Sequence, residues 1–497
     1  MPRSHLPLTA SLFLLLGVAP AQDDPQKAKP ETPARRFVTE HSATIGGRKL
    51  DYVVTAGETF LRDDKGAPRA SFFTFAYTEK GADAAHRPVT FAFNGGPGSS
   101  SIWLHLGLLG PERARVPSDA TSAGSPPYVL EANPDSILDG SDIVFVDPIG
   151  TGFSEARGDA KGEDYWGFDE DAGSVAEFIR RWLTENQRWT SPKYVLGESY
   201  GGIRSGLLLR ELQGGSASVG LSGVMMISPA LDMEFVDGSG SDMQTVLSLP
   251  TMAAAAAYHH ALPEQPEDLE AFLREAREFA RGEYLGALFA GASLAPDRMT
   301  AIIQKLHRFT GLKDDYIRDT NLRISTARFR RELLRDRGLV LGRLDARYTG
   351  TEADDAGETP TSDPMNTAVG AAYAATFHDY LGRELGVSMD RDYLVSSPVA
   401  GGRWKRSGRI GGAFAGWLDV MPDVARAMAA NPKLRILIAN GLYDTATTFF
   451  AAEYNASRFG IDQSRVTLRE YPAGHMMYLH EPSLHALAID LRGFLGH

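Results

Sequence analysis

A serine at position 199 lies between a short apolar segment and a helical segment. Residues 197–201 read GESYG and fit the pattern G-x-S-x-G. Residues 194–196 are typical of a buried strand, and residues 201–212 are typical of a helix. A sharp turn between such a strand and helix exposes the serine hydroxyl, and glycines flank it because larger side chains would clash. The arrangement predicts that Ser199 is a nucleophile at the edge of a sheet, while the pentapeptide alone also occurs by chance.

Short apolar strands alternate with helices along most of the chain. Strands are predicted at residues 49–54, 71–77, 89–93, 142–146, 194–196, 221–227, 434–439 and 466–471. Such alternation indicates a mostly parallel central sheet and, with the serine turn, an α/β-hydrolase fold. The charged, helix-rich stretch at 232–391 interrupts the alternation, so we interpret it as an inserted helical cap. A length of 497 residues fits one large domain that carries an insertion.

The N-terminus has the pattern of an export signal. Arg3 supplies a positive start, residues 6–18 are largely apolar, and residues 19–21 match a small-x-small cleavage site. The apolar run is shorter than the roughly 20 residues that span a bilayer, which favours cleavage over a membrane anchor. We therefore expect export, to a periplasm or to the medium. The predicted organisation is a signal peptide at 1–21, a flexible leader at 22–36, hydrolase core at 37–231 and 392–497, and the cap at 232–391.

Composition excludes several other classes of protein. A net charge of −12 argues against a nucleic-acid partner. The sequence has no basic amphipathic patch that would indicate binding to a membrane surface. The chain has no cysteine, which rules out disulfides, cysteine nucleophiles and thiolate metal sites. There is no His-Glu-x-x-His, and we interpret the pairs at 259–260 and 480–481 as isolated surface or loop residues. We expect no metal and no cofactor, and the sequence carries no signal for oligomeric state.

An aspartate and a histidine follow two late predicted strands. Asp444 comes after the strand at 434–439, and His475 comes after the strand at 466–471. Loops at the carboxyl edge of a parallel sheet gather at one site, and the chain order Ser, Asp, His suits this fold. We therefore predict a triad of Ser199, His475 as base and Asp444 as orienting acid. Taken alone, Asp444 could be a turn residue or a helix cap, and His475 could be a surface histidine.

A glycine-rich segment follows the predicted strand at 89–93. Residues 94–100 read NGGPGSS, and such a turn can aim backbone N–H groups at a developing oxyanion. The competing interpretations are a phosphate loop and a plain tight turn. The phosphate loop fails because no Gly-Lys-Ser/Thr follows.

Five longer motifs appear in order along the chain. They are NGGPGSSS at 94–101, NPDSILDGSDIVFVDPIGTGFS at 133–154, GESYGG at 197–202, NGLYDTATTFF at 440–450 and AGHMMYLHEP at 473–482. Together they resemble the serine carboxypeptidase family, peptidase family S10, and the last motif resembles its bacterial branch. The resemblance implies an enzyme that releases C-terminal residues from peptide substrates and favours acidic pH.

The resemblance also implies a role for each matching residue. The nucleophile, acid and base are Ser199, Asp444 and His475, the oxyanion-hole N–H groups belong to Gly96 and Tyr200, and the substrate's terminal carboxylate is held by Asn94 and Glu198. Two carboxylates in contact cannot both ionise cheaply, so one of them must hold a proton. Glu198 would therefore bind the substrate as a protonated donor, which accounts for the acidic optimum that the resemblance implies.

Two departures from the family pattern reduce the number of residues that could bind the substrate's carboxylate. Ala92 stands where the pattern has a tryptophan, and Leu108 stands where it has a second carboxylate-binding glutamate. Arg204 is near Glu198 in sequence, but its position cannot be derived. Two alternatives therefore stay open: a serine esterase or acyltransferase on the same machinery, which the family resemblance also covers, and an inactive exported binding protein. The second is weakened because every triad position is filled.

Overall fold

A ten-stranded sheet forms the centre of the protein. The computed structural model describes residues 33–214, 218–236, 238, 240–406, 409–410, 413–414, 418–458 and 460–496. The predicted signal peptide, and the predicted leader up to residue 32, lie outside the described residues. The strands of the sheet are β1 (Arg36–Ile45), β2 (Arg48–Arg62), β3 (Pro68–Glu79), β4 (Val89–Phe93), β5 (Asp142–Val146), β6 (Glu155–Ala156), β7 (Lys193–Glu198), β8 (Gly223–Ile227), β9 (Arg435–Gly441) and β10 (Val466–Tyr471).

The strand order is β1-β2-β3-β5-β4-β7-β8-β9-β10, and β6 pairs with β3. Along this order, the neighbouring strands from β5 to β10 pair in parallel. Strands β1, β2 and β3 are antiparallel to their neighbours. Every residue of β4, β5, β7 and β8 is buried, as expected for parallel strands that are covered on both faces. The prediction of an α/β-hydrolase fold with a mostly parallel central sheet is confirmed.

Helices cover both faces of the sheet and fill the long connection between β8 and β9. Their bounds are α1 (Phe168–Glu185), α2 (Tyr200–Gln213), α3 (Asp242–Tyr258), α4 (Leu269–Phe279), α5 (Leu285–Ala290), α6 (Pro296–Thr310), α7 (Asp314–Asp319), α8 (Thr326–Glu332), α9 (Pro364–Arg383), α10 (Pro398–Gly402), α11 (Met421–Ala430), α12 (Phe449–Ala456) and α13 (Glu481–Leu495). Within the described part of the chain, no helix has the length and apolar character needed to cross a bilayer.

The side chains of the sheet alternate between two apolar clusters. On β8, Val224 and Met226 join the cluster that α1, α2 and α11 cover, whereas Met225 and Ile227 join the cluster that α9 and α13 cover. A period of two residues places successive side chains on opposite faces of a strand. Each buried strand therefore supports two helical layers, and the carboxyl ends of β7, β8, β9 and β10 meet at one edge.

The helices between β8 and β9 do not all belong to one layer. Helices α3 to α8 share a third apolar cluster, which includes Val246, Ile302 and Phe329 and to which α12 also contributes. In contrast, α9 contributes Met365 and Phe377 to the cluster on the face of the sheet. The structure therefore places α9 with the sheet, although its residues fall within the predicted cap range. The domain boundaries themselves stay predictions.

Candidate active site

Ser199 lies in a strained turn between β7 and α2. Its backbone has φ 62° and ψ −124°, a region that non-glycine residues adopt only when the surroundings enforce it. The Ser199 N–H donates to the Ile227 carbonyl at 3.0 Å, and the Ser199 carbonyl accepts from Gly202 N at 2.8 Å. A Cβ on Gly197 would lie 2.2 Å from the carbonyl oxygen of Gly201, so the turn closes only with glycine there. The half-buried Ser199 thus has the geometry of a nucleophile elbow.

Asp444 and His475 form a buried pair beyond the ends of β9 and β10. His475 Nδ1 lies 2.6 Å from Asp444 Oδ2, and the carboxyl group of Asp444 is fully buried. Asp444 Oδ1 accepts from the backbone N–H groups of Ala446 at 2.8 Å and Thr447 at 3.1 Å. Burial alone would lower the pKa of His475, but the adjacent Asp444 and the charge of Glu198 raise it above its usual value. The pair therefore favours a charged imidazole, as a general base requires after it takes a proton.

Two residues that the sequence analysis did not identify join the loops that carry this pair. Ser228, at the end of β8, donates from its backbone N–H to the Ala439 carbonyl at 2.7 Å and from its hydroxyl to the His475 carbonyl at 2.8 Å. The hydroxyl of Thr447 lies 2.8 Å from the Ser228 carbonyl and 2.7 Å from Asp444 Oδ2. Thr447 stands in the motif at 440–450, so a signal for it was present, whereas Ser228 carried none.

The glycine-rich turn after β4 contacts the elbow directly. A Cβ on Gly95 would lie 2.5 Å from the backbone nitrogen of Tyr200 and 2.7 Å from the carbonyl oxygen of Glu198. Gly96 is exposed and has φ +103°. The two residues nominated for the oxyanion hole, Gly96 and Tyr200, therefore lie on two segments in contact beside Ser199. Such a pair of segments is able to present two backbone donors to an oxyanion.

The structure brings the two nominated carboxylate-binding residues together. Glu198 Oε1 accepts from Asn94 Nδ2 at 2.7 Å, and Glu198 Oε2 accepts from the hydroxyl of Tyr478 at 2.8 Å. The backbone N–H of Leu104 donates to Asn94 Oδ1 at 3.0 Å, which fixes the amide orientation. Burial raises the pKa of Glu198 to about 7, against the opposing effects of the His475 charge and the two hydrogen bonds.

Three residues discussed with this carboxylate site lie in the protein interior. Ala92 and Leu108 are fully buried in the apolar cluster on one face of the sheet. Arg204 is also fully buried, where its Nε lies 2.7 Å from Asp171 Oδ2 and its Nη1 donates to the Asn94 carbonyl at 2.7 Å. Arg204 therefore supports the backbone of the glycine-rich turn from behind and does not present its charge to a substrate.

A segment before α9 packs against the loop that carries His475. The His475 N–H donates to the Leu344 carbonyl at 2.6 Å, and a Cβ on Gly474 would lie 2.3 Å from the Cβ of Asp345. Asp345 itself forms a buried ion pair with Arg347, with 2.6 Å between Oδ2 and Nη2. The insertion between β8 and β9 thus fixes the base. No sequence pattern predicts this contact, because it joins residues far apart in the chain.

Among the residues that the structure describes, no three His, Asp or Glu side chains gather as a metal site. The two pairs noted in the sequence, at 259–260 and 480–481, each contain a histidine that makes a hydrogen bond. His259 Nε2 lies 2.6 Å from the Ala346 carbonyl, and His480 Nδ1 lies 2.7 Å from the hydroxyl of Ser483.

A family model matches the part of the chain that carries Asn94, Glu198 and Ser199. Residues 56–247 match the family model described as serine carboxypeptidase. Serine carboxypeptidase-like 13 of Arabidopsis thaliana is 30% identical over 168 residues, which are 33% of this chain and 36% of the relative. Serine carboxypeptidase-like 36 of the same plant is 29% identical over 200 residues, 39% of each chain. These matches support a relationship with peptidase family S10. Asp444 and His475 lie beyond the matched range.

The chain spans just over a third of the length of the first of these relatives, at 36%. Both are plant proteins, so they do not bear out the bacterial branch. Similar solved structures include proline iminopeptidase of Mycobacterium smegmatis, at 13% identity and a TM-score of 0.37, over 89% of this chain and 97% of that one. Another is a soluble variant of monoglyceride lipase from Saccharomyces cerevisiae, at 12% identity and a TM-score of 0.35, over 88% and 94%. The fold assignment rests on the strand order and the elbow.

Proposed function

We propose that this protein is an exported serine carboxypeptidase of family S10 that releases C-terminal residues from peptides. The observation that carries the proposal is the arrangement of four carboxyl-edge loops, which follow β4, β7, β9 and β10. They place the Ser199 elbow, the buried His475–Asp444 pair and the paired Asn94 and Glu198 at one edge of the sheet. The motif at 473–482 supports the bacterial branch of the family.

In the proposed reaction, His475 takes the proton of the Ser199 hydroxyl as the oxygen attacks the scissile carbonyl. The backbone N–H groups of Gly96 and Tyr200 stabilise the oxyanion that forms. His475 then gives its proton to the leaving amine, and an acyl group stays on Ser199. Water, activated by the same imidazole, releases the acid product. Asp444 holds the imidazole in place and stabilises its charged form, in line with the raised pKa of His475.

Recognition of the substrate's terminal carboxylate is assigned to Glu198 and Asn94. With a pKa of about 7, Glu198 is protonated in mildly acidic solution and is able to donate a hydrogen bond to a carboxylate. Protonation also removes the negative charge that helps to raise the pKa of His475, so the imidazole is a more available base in that state. Both effects favour an acidic optimum for substrates with a free C-terminus.

The test uses N-blocked dipeptides and their C-terminally amidated twins, from acidic to neutral pH. Wild-type protein should prefer the free acid, with the preference largest below pH 7, and Ser199→Ala should have no turnover. Thermal unfolding of the Ser199→Ala variant should match wild type, because the turn accepts a smaller side chain. Full activity in that variant, or equal use of acid and amide by wild type, would contradict the proposal.

A serine esterase or acyltransferase is the second candidate. The observation that favours it is the burial of Ala92 and Leu108 in an apolar cluster, which leaves only part of the family's carboxylate site. Faster turnover of esters than of matched free-acid peptides would favour this function.

An inactive binding protein would show no Ser199 labelling by a fluorophosphonate probe.

Export is proposed from the N-terminal pattern alone. Mature protein recovered outside the cytoplasm should begin at Gln22 when its N-terminus is sequenced. A mature protein that begins at Met1, or that stays in the cytoplasm, would remove export from the proposal.

A further inference from the structure

Tyr478 reaches the residue next to the nucleophile from the far end of the chain. It lies in the helical turn Met477–Leu479, three positions after the base, and its side chain is buried. Its hydroxyl donates to Glu198 Oε2 at 2.8 Å. Neither the triad nor the oxyanion hole uses this contact. A buried phenol aimed at a buried carboxyl group therefore needs a separate explanation.

Gly107 provides the space that the tyrosine ring occupies. A Cβ at this position would lie 2.3 Å from Tyr478 Cε2 and 2.8 Å from the hydroxyl oxygen of Tyr373. The next residue, Leu108, is fully buried in the same apolar cluster as Tyr478. Gly107 thus leaves room for the phenol, and Leu108 offers no carboxyl group to the site. The second hydrogen-bond partner of Glu198 is therefore Tyr478.

We propose that Tyr478 is the positioning residue of the carboxylate-binding site, where its hydroxyl holds the Glu198 carboxyl group beside Asn94 for the C-terminal carboxylate of a peptide. This inference rests on the proposed function. Asn94 and Tyr478 each anchor a different oxygen of Glu198. Each of these oxygens accepts one hydrogen bond, and a protonated carboxyl group has one O–H that it is able to donate to a ligand.

The charged and titratable groups around Glu198 set the direction of the expected pH effect. Burial and the negative charge of Asp444 favour its neutral form, whereas the charge of His475 and the hydrogen bonds from Tyr478 and Asn94 favour its ionised form. Tyr373, from α9, is also within electrostatic range and is buried. Removal of the Tyr478 hydroxyl should therefore raise the pKa of Glu198 while it loosens the side chain.

The kinetic experiment compares Tyr478→Phe with Tyr373→Phe, which removes an equally buried phenol beside the same glycine. For free-acid dipeptides at pH 5, Tyr478→Phe should raise KM about tenfold and leave kcat within about twofold, since one hydrogen bond to the binding group is lost. KM for the amidated twins should stay constant, and the alkaline limit for free acids should move up by roughly one pH unit. Tyr373→Phe should show neither effect.

Equal increases in KM for acids and amides, or identical behaviour of the two phenylalanine variants, would overturn the inference while leaving the carboxypeptidase proposal intact. A wild type with no preference for free acids would instead overturn the proposed function.

A second measurement does not depend on turnover. The free energy of unfolding in urea is measured from pH 4.5 to 8.5 for wild type, Tyr478→Phe, Glu198→Gln and the double variant. Tyr478→Phe should change the pH dependence only when Glu198 is present. If Tyr478→Phe changed the pH dependence of the unfolding free energy by the same amount in the Glu198→Gln background, the tyrosine would act on packing alone. That result would overturn the inference.

Discussion

Asp444 and Glu198 both bury a carboxyl group within electrostatic range of His475, but their hydrogen-bond partners differ. Asp444 accepts from two backbone N–H groups and lies beside the imidazole and the Thr447 hydroxyl. Among the residues that the structure describes, the donors to Glu198 are an amide and a phenol, and burial raises its pKa to about 7. The number and charge of the donors decide how well a buried carboxylate tolerates ionisation. One sheet edge thus holds a carboxylate suited to stabilise positive charge and a carboxyl group suited to hold a proton.

The largest effect should come from Asp444→Asn. The substitution removes the negative charge beside His475 Nδ1, so kcat should fall about 10⁴-fold on peptide, amide and ester substrates alike. Steady-state kinetics at the optimum of each substrate measures this, and thermal unfolding controls for damage to the loop. A loss confined to free-acid substrates would break the comparison, because Asp444 would then act in recognition.

Glu198→Gln should change the pH dependence of stability. Folding raises the pKa of Glu198 from 4.5 to about 7, so its contribution to stability is present below pH 4.5 and is lost as pH rises through 7. Wild type should therefore lose about 3 kcal/mol more unfolding free energy than Glu198→Gln between pH 4.5 and pH 8. Urea unfolding of both proteins at several pH values tests this. Parallel curves would show that folding does not shift the pKa of Glu198.

The same substitution should broaden the pH profile of catalysis. Wild-type kcat/KM for free-acid peptides should fall about five- to sixfold from pH 7 to pH 8, as Glu198 loses its proton. In Glu198→Gln the amide stays a donor, so the optimum should move toward neutral pH. The acidic limit should stay where it is, because Glu198 already carries its proton there in wild type and adds no charge beside His475. Amidated substrates provide the control, and an unchanged free-acid profile would remove Glu198 from recognition.

The smallest effect should come from Thr447→Val. The hydroxyl lies 2.7 Å from Asp444 Oδ2, and its loss should cost about 1 kcal/mol in transition-state stabilisation, or about fivefold in kcat. KM and the pH profile of free-acid recognition should not change, and Thr447→Ser should restore kcat. A shift in the pH profile like that of Glu198→Gln would show that the two carboxyl environments are not independent.

Much of the fold followed from local patterns. The bounds of β4, β5 and β10 match the predicted segments at 89–93, 142–146 and 466–471. Continuous apolar runs mark β4 and β5 because parallel strands are covered on both faces, whereas β10 is an edge strand whose side chains are mostly exposed or half-buried. β1 was not predicted. Its residues are alternately exposed and half-buried and most are polar, so the strand owes its existence to pairing with β2.

The chemistry of the site was partly predictable for a different reason. Ser199, Asp444 and His475 each follow a strand, and strand order alone brings such residues to one edge. Their catalytic roles stay predictions. The contact of Tyr478 with Glu198 depends on the space at Gly107, on a segment remote in sequence from both. Ser228 likewise donates to backbone carbonyls of residues remote in sequence, Ala439 and His475. No local pattern encodes a contact that exists only after the sheet has assembled.

The order of the catalytic parts along the chain has a consequence for biogenesis. Ser199 and its elbow belong to the first half of the polypeptide. The acid, the base and Tyr478 follow the last two strands, β9 and β10. His475 is further held by a backbone bond to Leu344 in the insertion. A ribosome-bound or partly translocated chain therefore carries the nucleophile without its base. Under the proposed function, such a chain is chemically silent until its last strand has joined the sheet.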